Sequence, residues 1–165
     1  MKFKIVYIFL LVAHYSIAQN SLDEVLKQYN NESIPYIYVD ELKNVENNVV
    51  LLDAREKNEY EVSHIKNAKF VGYTHFKIKS INKHNIPKSD TIVVYCSLGV
   101  RSEDISEKLK KAGYINVYNL YGGIFEWKNK NYTVVNSKGE ITENVHACSK
   151  QWAKWLQKGK KVYSN

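Results

Sequence analysis

The chain has 165 residues, of which 44% are hydrophobic and 13% aromatic, with seven Gly, two Pro and two Cys. This composition excludes a disordered or collagen-like chain, and two cysteines exclude a disulfide-dense mini-protein. The 24 basic and 17 acidic residues give a formal charge of +7, and its significance for nucleic-acid or membrane binding depends on where the charges lie.

The excess positive charge lies at the two ends of the chain. Lys2 and Lys4 account for two charges, and residues 136–165 contain six Lys and two Glu. Residues 19–135 contain 16 basic and 15 acidic residues, so this central part is almost neutral. Because nucleic-acid-binding domains carry a clustered basic surface, we expect no nucleic-acid partner.

The N-terminus has the layout of a secretory signal peptide. Two lysines precede an unbroken apolar run of nine residues at 5–13, and the small residues Ser16 and Ala18 fit a cleavage before Gln19. The run is shorter than the ~20 apolar residues that span a bilayer. We therefore expect residues 1–18 to be removed, and the mature protein to be periplasmic or secreted without stable membrane insertion.

The mature chain shows signals for helices that alternate with strands. Ser21 and Glu24 form a capping-box pattern that predicts a helix within an N-terminal segment of residues 19–35. Further helices are predicted from periodicity and caps at residues 56–62, 102–112 and 123–128. Apolar runs predict strands at residues 49–52, 69–71, 91–95 and 116–120. Such strands separated by helices predict an α/β fold, with a parallel sheet covered by helices on both faces.

The pattern changes in the C-terminal segment of residues 136–165. Residues 145–158 predict one amphipathic helix, with Trp152, Trp155 and Leu156 on its apolar face. Cys148 lies within it and is interpreted as a partly buried helical residue. The alternative is that Cys148 forms a disulfide with the other cysteine or resolves its oxidised form.

The strand at residues 91–95 leads directly into a loop with the residue types of a nucleophilic, anion-binding site. The loop and the start of the next helix consist of Cys96, Ser97, Leu98, Gly99, Val100, Arg101 and Ser102. Successive N–H groups of such a loop point to one centre, while the helix dipole and Arg101 add positive charge. We expect a lowered pKa for Cys96, which favours a thiolate nucleophile over a buried, inert thiol.

These residues resemble the rhodanese-like (thiosulfate sulfurtransferase) single-domain family, whose active-site loop begins with Cys, has Gly at the fourth place and ends in Arg. The resemblance covers residues 36–135, although Ser63 and Asn67 stand where the family often has Gly. The flanking motifs that match are Leu52-Asp53-Ala54-Arg55-Glu56 with Glu59-Tyr60, His64-Ile65 with Ala68, and Leu120-Tyr121-Gly122-Gly123 with Trp127.

The resemblance implies a rhodanese-like sulfurtransferase that needs no cofactor. A small-molecule donor such as thiosulfate or a persulfide would place sulfane sulfur on Cys96, and a thiol or cyanide would accept it. Residues 97–102 would bind the anionic donor, with Asp53 and Arg55 in support. The alternative is a non-catalytic binding or redox-sensing module that keeps the rhodanese fold and in which Cys96 reports oxidation through Cys148.

The loop length separates sulfur chemistry from phosphate chemistry. Cysteine-based phosphatases and arsenate reductases have a similar loop with five residues between Cys and Arg, whereas four lie between Cys96 and Arg101. Ser102 occupies the place of the phosphatase arginine, so the spacing favours sulfur. His64 is interpreted as a hydrogen-bonded structural residue rather than a general base, and the two cysteines offer no metal-site spacing.

Overall fold

The structure, a computed structural model, describes residues 21–163. The predicted signal peptide at residues 1–18 lies outside the described residues. Within residues 21–163, no helix combines the length and the apolar character that crossing a bilayer requires.

A five-stranded parallel sheet with the strand order β1-β5-β4-β2-β3 forms the centre of the fold. The strands are β1 (Tyr36–Ile37), β2 (Val50–Asp53), β3 (Lys69–Phe70), β4 (Thr91–Tyr95) and β5 (Asn116–Leu120). Alternate residues of β4 enter two different cores: Val93 and Tyr95 lie on one face, and Ile92 and Val94 lie on the other. Burial on both faces explains the nearly continuous apolar runs, and the predicted α/β fold with a parallel sheet is confirmed.

Helices cover both faces of the sheet. They are α1 (Leu22–Tyr29), α2 (Val39–Val45), α3 (Lys57–Val62), α4 (Lys79–Asn82), α5 (Val100–Lys111) and α6 (Gly123–Asn129). Residues of α2 and α6 belong to the first core, and residues of α4 and α5 to the second. The predicted capping box of α1 is present, because the Ser21 hydroxyl accepts from the Glu24 N–H and the Glu24 carboxylate accepts from the Ser21 N–H.

The predicted amphipathic helix at residues 145–158 is wrong. Before this segment, β6 (Val134–Val135) and β7 (Ile141–Thr142) form a short antiparallel pair. The segment itself contains β8 (Asn144–His146) and a single 3-10 turn (Trp152–Trp155), and it leads into β9 (Lys160–Val162). Strand β8 pairs with β9 in parallel, and the Ala147 N–H continues this pairing to the Val162 carbonyl.

Tertiary contacts explain why this segment does not form the predicted helix. Val145, Ala147, Ala153 and Leu156 are all buried in the first core. A strand followed by a 3-10 turn buries these four side chains better than one face of a helix would, so tertiary packing overrides the local helical pattern. Cys148 has a φ of +62°, a left-handed conformation that interrupts regular structure directly after the strand. The C-terminal extension therefore packs against the domain as strands and loops.

Candidate active site

The Cys96 loop curls tightly between β4 and α5. Gly99 has a φ of +118°, a conformation that L-residues with a side chain rarely adopt. This turn directs the Gly99 N–H to the Cys96 Sγ at 3.1 Å. The N–H groups at the beginning of α5, from Val100 onward, lack acceptors within their own helix, and the dipole of this 12-residue helix adds positive potential next to the sulfur.

Backbone N–H groups of helix α6 donate hydrogen bonds to the same loop. The N–H of Ile124 donates to the Cys96 carbonyl at 2.9 Å, and the N–H of Phe125 donates to the Ser97 carbonyl at 3.2 Å. The approach requires Gly123, whose φ is +54° and whose added Cβ would overlap the Cys96 carbonyl and lie 2.7 Å from Ser97. The Gly122–Gly123 pair is thus a tight turn that fixes the loop from outside.

The Cys96 thiol is buried, with 2% of the residue exposed, and sits among donors that favour its ionised form. Burial opposes ionisation, but the charge of Arg101, the Ser102 hydroxyl and the N–H groups of Gly99 and Ser102 outweigh it and lower the pKa of Cys96. The Ser102 hydroxyl lies 3.5 Å from the sulfur and 2.7 Å from Asn119 Oδ1. This electrostatic arrangement suits a thiolate nucleophile.

Arg101 is paired with a buried carboxylate rather than being an unpaired cation. Its guanidinium donates to both carboxylate oxygens of Glu59 at 2.6 and 2.8 Å, and to the Ser97 hydroxyl at 3.1 Å. Burial alone would raise the pKa of Glu59, but the hydrogen bonds and charge of Arg101 lower it to about 2. Glu59 therefore fixes the orientation of Arg101 beside the loop and compensates its charge.

A cavity of about 170 Å³ opens over the loop, which is smaller than the roughly 300–1,000 Å³ typical of sites for drug-sized ligands. Its lining residues are Cys96, Ser97, Leu98, Val100, Arg101, Cys148 and Trp152. Five of them belong to the predicted loop. The other two predicted loop residues, Gly99 and Ser102, contact the Cys96 sulfur but are not among the lining residues. The other two lining residues, Cys148 and Trp152, come from the C-terminal segment, which therefore forms part of the cavity wall.

Asp53 and Arg55 do not line this cavity. Both side chains are fully buried, and they form an ion pair in which the Arg55 guanidinium contacts the Asp53 carboxylate at 2.6 Å. The same guanidinium donates to the Ser63 carbonyl at 2.6 Å, which connects the end of β2 to the residue after α3. Their arrangement braces the strand end. The charge of Arg55 also helps to lower the pKa of Glu59, but less than Arg101 and the hydrogen bond from the Glu56 N–H do.

His64 also lies in a structural setting. Its ring stacks on Tyr60 at a centroid distance of 3.9 Å, and its Nδ1 lies 3.1 Å from the Tyr60 carbonyl. Asn67, at a place where the family often has Gly, has a φ of +66°, which asparagine tolerates better than most residues. Across residues 21–163, His, Cys, Asp and Glu form no group of three or more that would hold a metal ion.

Sequence reasoning missed two features of the site. Glu59 lay within a recognised motif, but nothing in its local spacing pairs it with Arg101, 42 residues later. The favoured interpretation of Cys148 is a partly buried helical residue, and only the alternative brings it to Cys96; no role at the site is predicted for Trp152, yet both residues line the cavity. Both cysteines are free thiols, and no local sequence signal connects them.

Residues 38–130 match the family model described as Rhodanese-like domain. The thiosulfate sulfurtransferase GlpE of Coxiella burnetii is 30% identical over 82 residues, which covers 48% of this chain and 72% of that protein. A tRNA uridine(34) hydroxylase of Aster yellows witches'-broom phytoplasma is 41% identical over 85 residues, which is 50% of this chain but only 28% of the hydroxylase.

Solved structures show the same fold. A rhodanese-related protein from Thermoplasma volcanium superposes with a TM-score of 0.51 at 25% identity, covering 61% of this chain and 97% of that one. A thiosulfate sulfurtransferase from Pseudomonas aeruginosa has a TM-score of 0.59 at 19% identity, covering 82% of this chain and 25% of that one. The second likeness concerns the fold alone.

Proposed function

Because this chain belongs to the rhodanese-like family, we propose that it is a sulfurtransferase that carries sulfane sulfur on Cys96. The observation that carries the proposal is the buried Cys96 thiol at the base of a small cavity, with the Gly99 N–H aimed at its sulfur and its pKa lowered. A nucleophilic thiolate surrounded by N–H donors suits an anionic sulfur donor such as thiosulfate.

In the first half-reaction, the Cys96 thiolate attacks the outer sulfur of thiosulfate. A new S–S bond forms to Cys96, the sulfur–sulfur bond of the donor breaks, and its electron pair leaves with sulfite. The product is an anionic Cys96 persulfide, whose outer sulfur lies in the cavity near the donors at the start of α5. In the second half-reaction, a thiol or cyanide attacks that outer sulfur, and Cys96 leaves as the thiolate.

The hydroxylase relatives do not favour a nucleic-acid substrate for this chain. The similarity spans about a quarter of the hydroxylase, and residues 19–135 carry 16 basic against 15 acidic residues. So small a net charge gives no sign of the basic excess on which phosphate-backbone binding depends. The proposed partners are therefore a small sulfur donor and a thiol acceptor.

The persulfide can be tested by mass spectrometry. The purified protein is incubated with thiosulfate, and its intact mass is measured before and after addition of cyanide. We expect a gain of one sulfur atom that cyanide removes, no gain in Cys96→Ser, and an unchanged gain in Lys150→Ala, which alters an exposed residue of the C-terminal segment. The absence of a cyanide-labile adduct, or its presence in Cys96→Ser, would overturn the proposal.

We also propose that the protein is exported, since residues 1–18 have the signal-peptide pattern. N-terminal sequencing of protein recovered from its native cells should begin at Gln19. Recovery of a chain that starts at Met1 in the cytoplasm would contradict export.

A further inference from the structure

We propose that Cys148 is a second catalytic thiol, which receives the sulfane sulfur from Cys96 and presents it to acceptors outside the cavity. The inference rests on the proposed function, because it takes the Cys96 persulfide as its starting point. Its basis is that both free thiols line the same cavity, and that Arg101 of the loop lies 3.9 Å from the Cys148 Sγ.

The backbone holds Cys148 in a fixed and unusual position. A non-glycine residue with a φ of +62° is uncommon and persists only where its surroundings impose it. The Cys148 N–H donates to His146 Nδ1 at 3.1 Å, and the preceding Ala147 is tied to β9 through the Val162 carbonyl at 2.8 Å. After it, the Ser149 N–H donates back to the Ala147 carbonyl at 2.7 Å. Cys148 is thus anchored on both sides rather than carried on a loose tail.

The neighbouring Trp152 completes this wall of the cavity. Its indole packs edge-on against Tyr29 of α1 at a centroid distance of 5.5 Å, and the backbone N–H of Trp152 donates to the Ser149 hydroxyl at 3.4 Å. The wall that carries Cys148 is therefore packed against α1 as well as against the sheet.

One guanidinium serves both thiols. Arg101 Nη2 lies 3.9 Å from the Cys148 Sγ, and the charge of Arg101 also favours the thiolate of Cys96. The charge of Cys96 is one of the smaller causes that raise the pKa of Cys148, after burial and Glu59. A sulfur atom bound to Cys96 extends from the buried loop into the cavity that Cys148 lines.

The chemical difference between the thiols sets the direction of transfer. Burial, with the charges of Glu59 and Cys96, raises the pKa of Cys148, whereas the loop lowers the pKa of Cys96. In thiol–disulfide exchange, the thiolate of lower pKa is the better leaving group, whereas a thiolate of higher pKa is intrinsically more nucleophilic but makes up a smaller fraction of the thiol at neutral pH. The leaving-group difference therefore favours breaking the bond to Cys96 once the Cys148 thiolate has formed beside Arg101.

The transfer step is balanced without an added oxidant or reductant. The Cys148 thiol loses its proton to solvent, and its thiolate attacks the outer sulfur of the Cys96 persulfide. The bond from the outer sulfur to Cys96 breaks, its electron pair leaves on the Cys96 thiolate, and the outer sulfur stays on Cys148 as a new persulfide. The step moves sulfur from a buried residue to a half-buried one, where a thiol too large for the cavity can reach it.

The first test follows the sulfur in the wild-type protein and uses one variant as its control. After a pulse of thiosulfate, persulfides are trapped by alkylation at successive times, and the peptides containing Cys96 and Cys148 are weighed separately. We expect sulfur first on Cys96 and then on Cys148, and none on either peptide in Cys96→Ser. Sulfur on Cys148 in Cys96→Ser would overturn the relay, because Cys148 would then be loaded directly.

The second test measures delivery to a bulky acceptor. With reduced glutathione, Cys148→Ser should turn over slower than the Lys150→Ala control by on the order of tenfold or more, because an oriented intramolecular step is lost. Equal rates in the two variants would overturn the proposal. A Cys96–Cys148 disulfide formed with release of sulfide would also overturn the proposal, because that product forms when Cys148 attacks the inner sulfur of the Cys96 persulfide. Sulfur confined to Cys96 refutes only the relay, whereas no sulfur on either cysteine refutes the proposed function itself.

Discussion

The buried pair of Glu59 and Arg101 allows a quantitative test of the electrostatics at this site. Their side chains are 5% and 19% exposed, and two hydrogen bonds of 2.6 and 2.8 Å join them. The lowering of the Glu59 pKa from an ordinary 4.5 to about 2 corresponds to about 3 kcal/mol of unfolding free energy at neutral pH. Glu59→Gln removes this contribution while keeping the shape of the side chain.

The pH dependence of this contribution has a definite sign. The folded-state pKa is lower than the unfolded one, so the stabilisation is fully present above about pH 4.5 and is lost as the pH falls toward about 2. In Glu59→Gln, the Arg101 guanidinium also stays buried without its counter-charge, a change that typically costs about 3–5 kcal/mol. We therefore expect a loss of roughly 3–5 kcal/mol at about pH 7, and a smaller difference from the wild type at about pH 3.

Urea unfolding followed by tryptophan fluorescence at the two pH values measures both quantities. The matched control is Glu61→Gln on the same helix, because Glu61 and Lys57 are 53% and 76% exposed and 3.6 Å apart. This control should change the unfolding free energy by less than about 0.5 kcal/mol, as exposed helical pairs do. The reasoning is refuted if the two variants lose equal stability at neutral pH, or if the deficit of Glu59→Gln does not shrink in acid.

Three further predictions concern the loop and its support. Ser102→Ala removes a hydroxyl donor and should raise the pKa of Cys96, so the pH profile of its alkylation by iodoacetamide moves to higher pH; an unmoved profile contradicts the role of the hydroxyl. Gly123→Ala should lower the free energy of unfolding, measured by thermal unfolding, by more than about 2 kcal/mol, because the added Cβ overlaps the loop. The control Gly139→Ala, which lies in open space at a φ of +80°, should lower it by about 1 kcal/mol. Equal losses in the two variants contradict the close approach. Arg55→Met breaks a fully buried ion pair and should cost about 3–5 kcal/mol by urea unfolding, and a loss below about 1 kcal/mol contradicts its bracing role.

The sheet and the loop could be predicted because their signals are local. Strands β4 and β5 have the predicted bounds, Thr91–Tyr95 and Asn116–Leu120. In β4, burial on both faces of the sheet explains the nearly continuous apolar run. Helix α5 begins two residues earlier than predicted, at Val100, because Gly99 in its left-handed conformation already starts the turn. Residues close in sequence determine each of these features.

Features that depend on distant contacts could not be predicted in this way. The spacing of Trp152, Trp155 and Leu156 matches a helix, yet pairing of β8 with β9 and burial of Val145 against the sheet determine the local structure instead. The partner of Arg101 comes from α3, and no pattern within the loop specifies it. The sequence likewise contains no local sign that the C-terminal segment closes the cavity.

The two walls of the cavity have different relations to the rest of the family. The loop with Cys96 and Arg101 lies inside the range 38–130 that matches the family model, whereas Cys148 and Trp152 lie beyond it. If the proposed relay holds, a change of Cys148 or Trp152 would alter which thiols receive sulfur and leave the surroundings of the Cys96 thiol as they are.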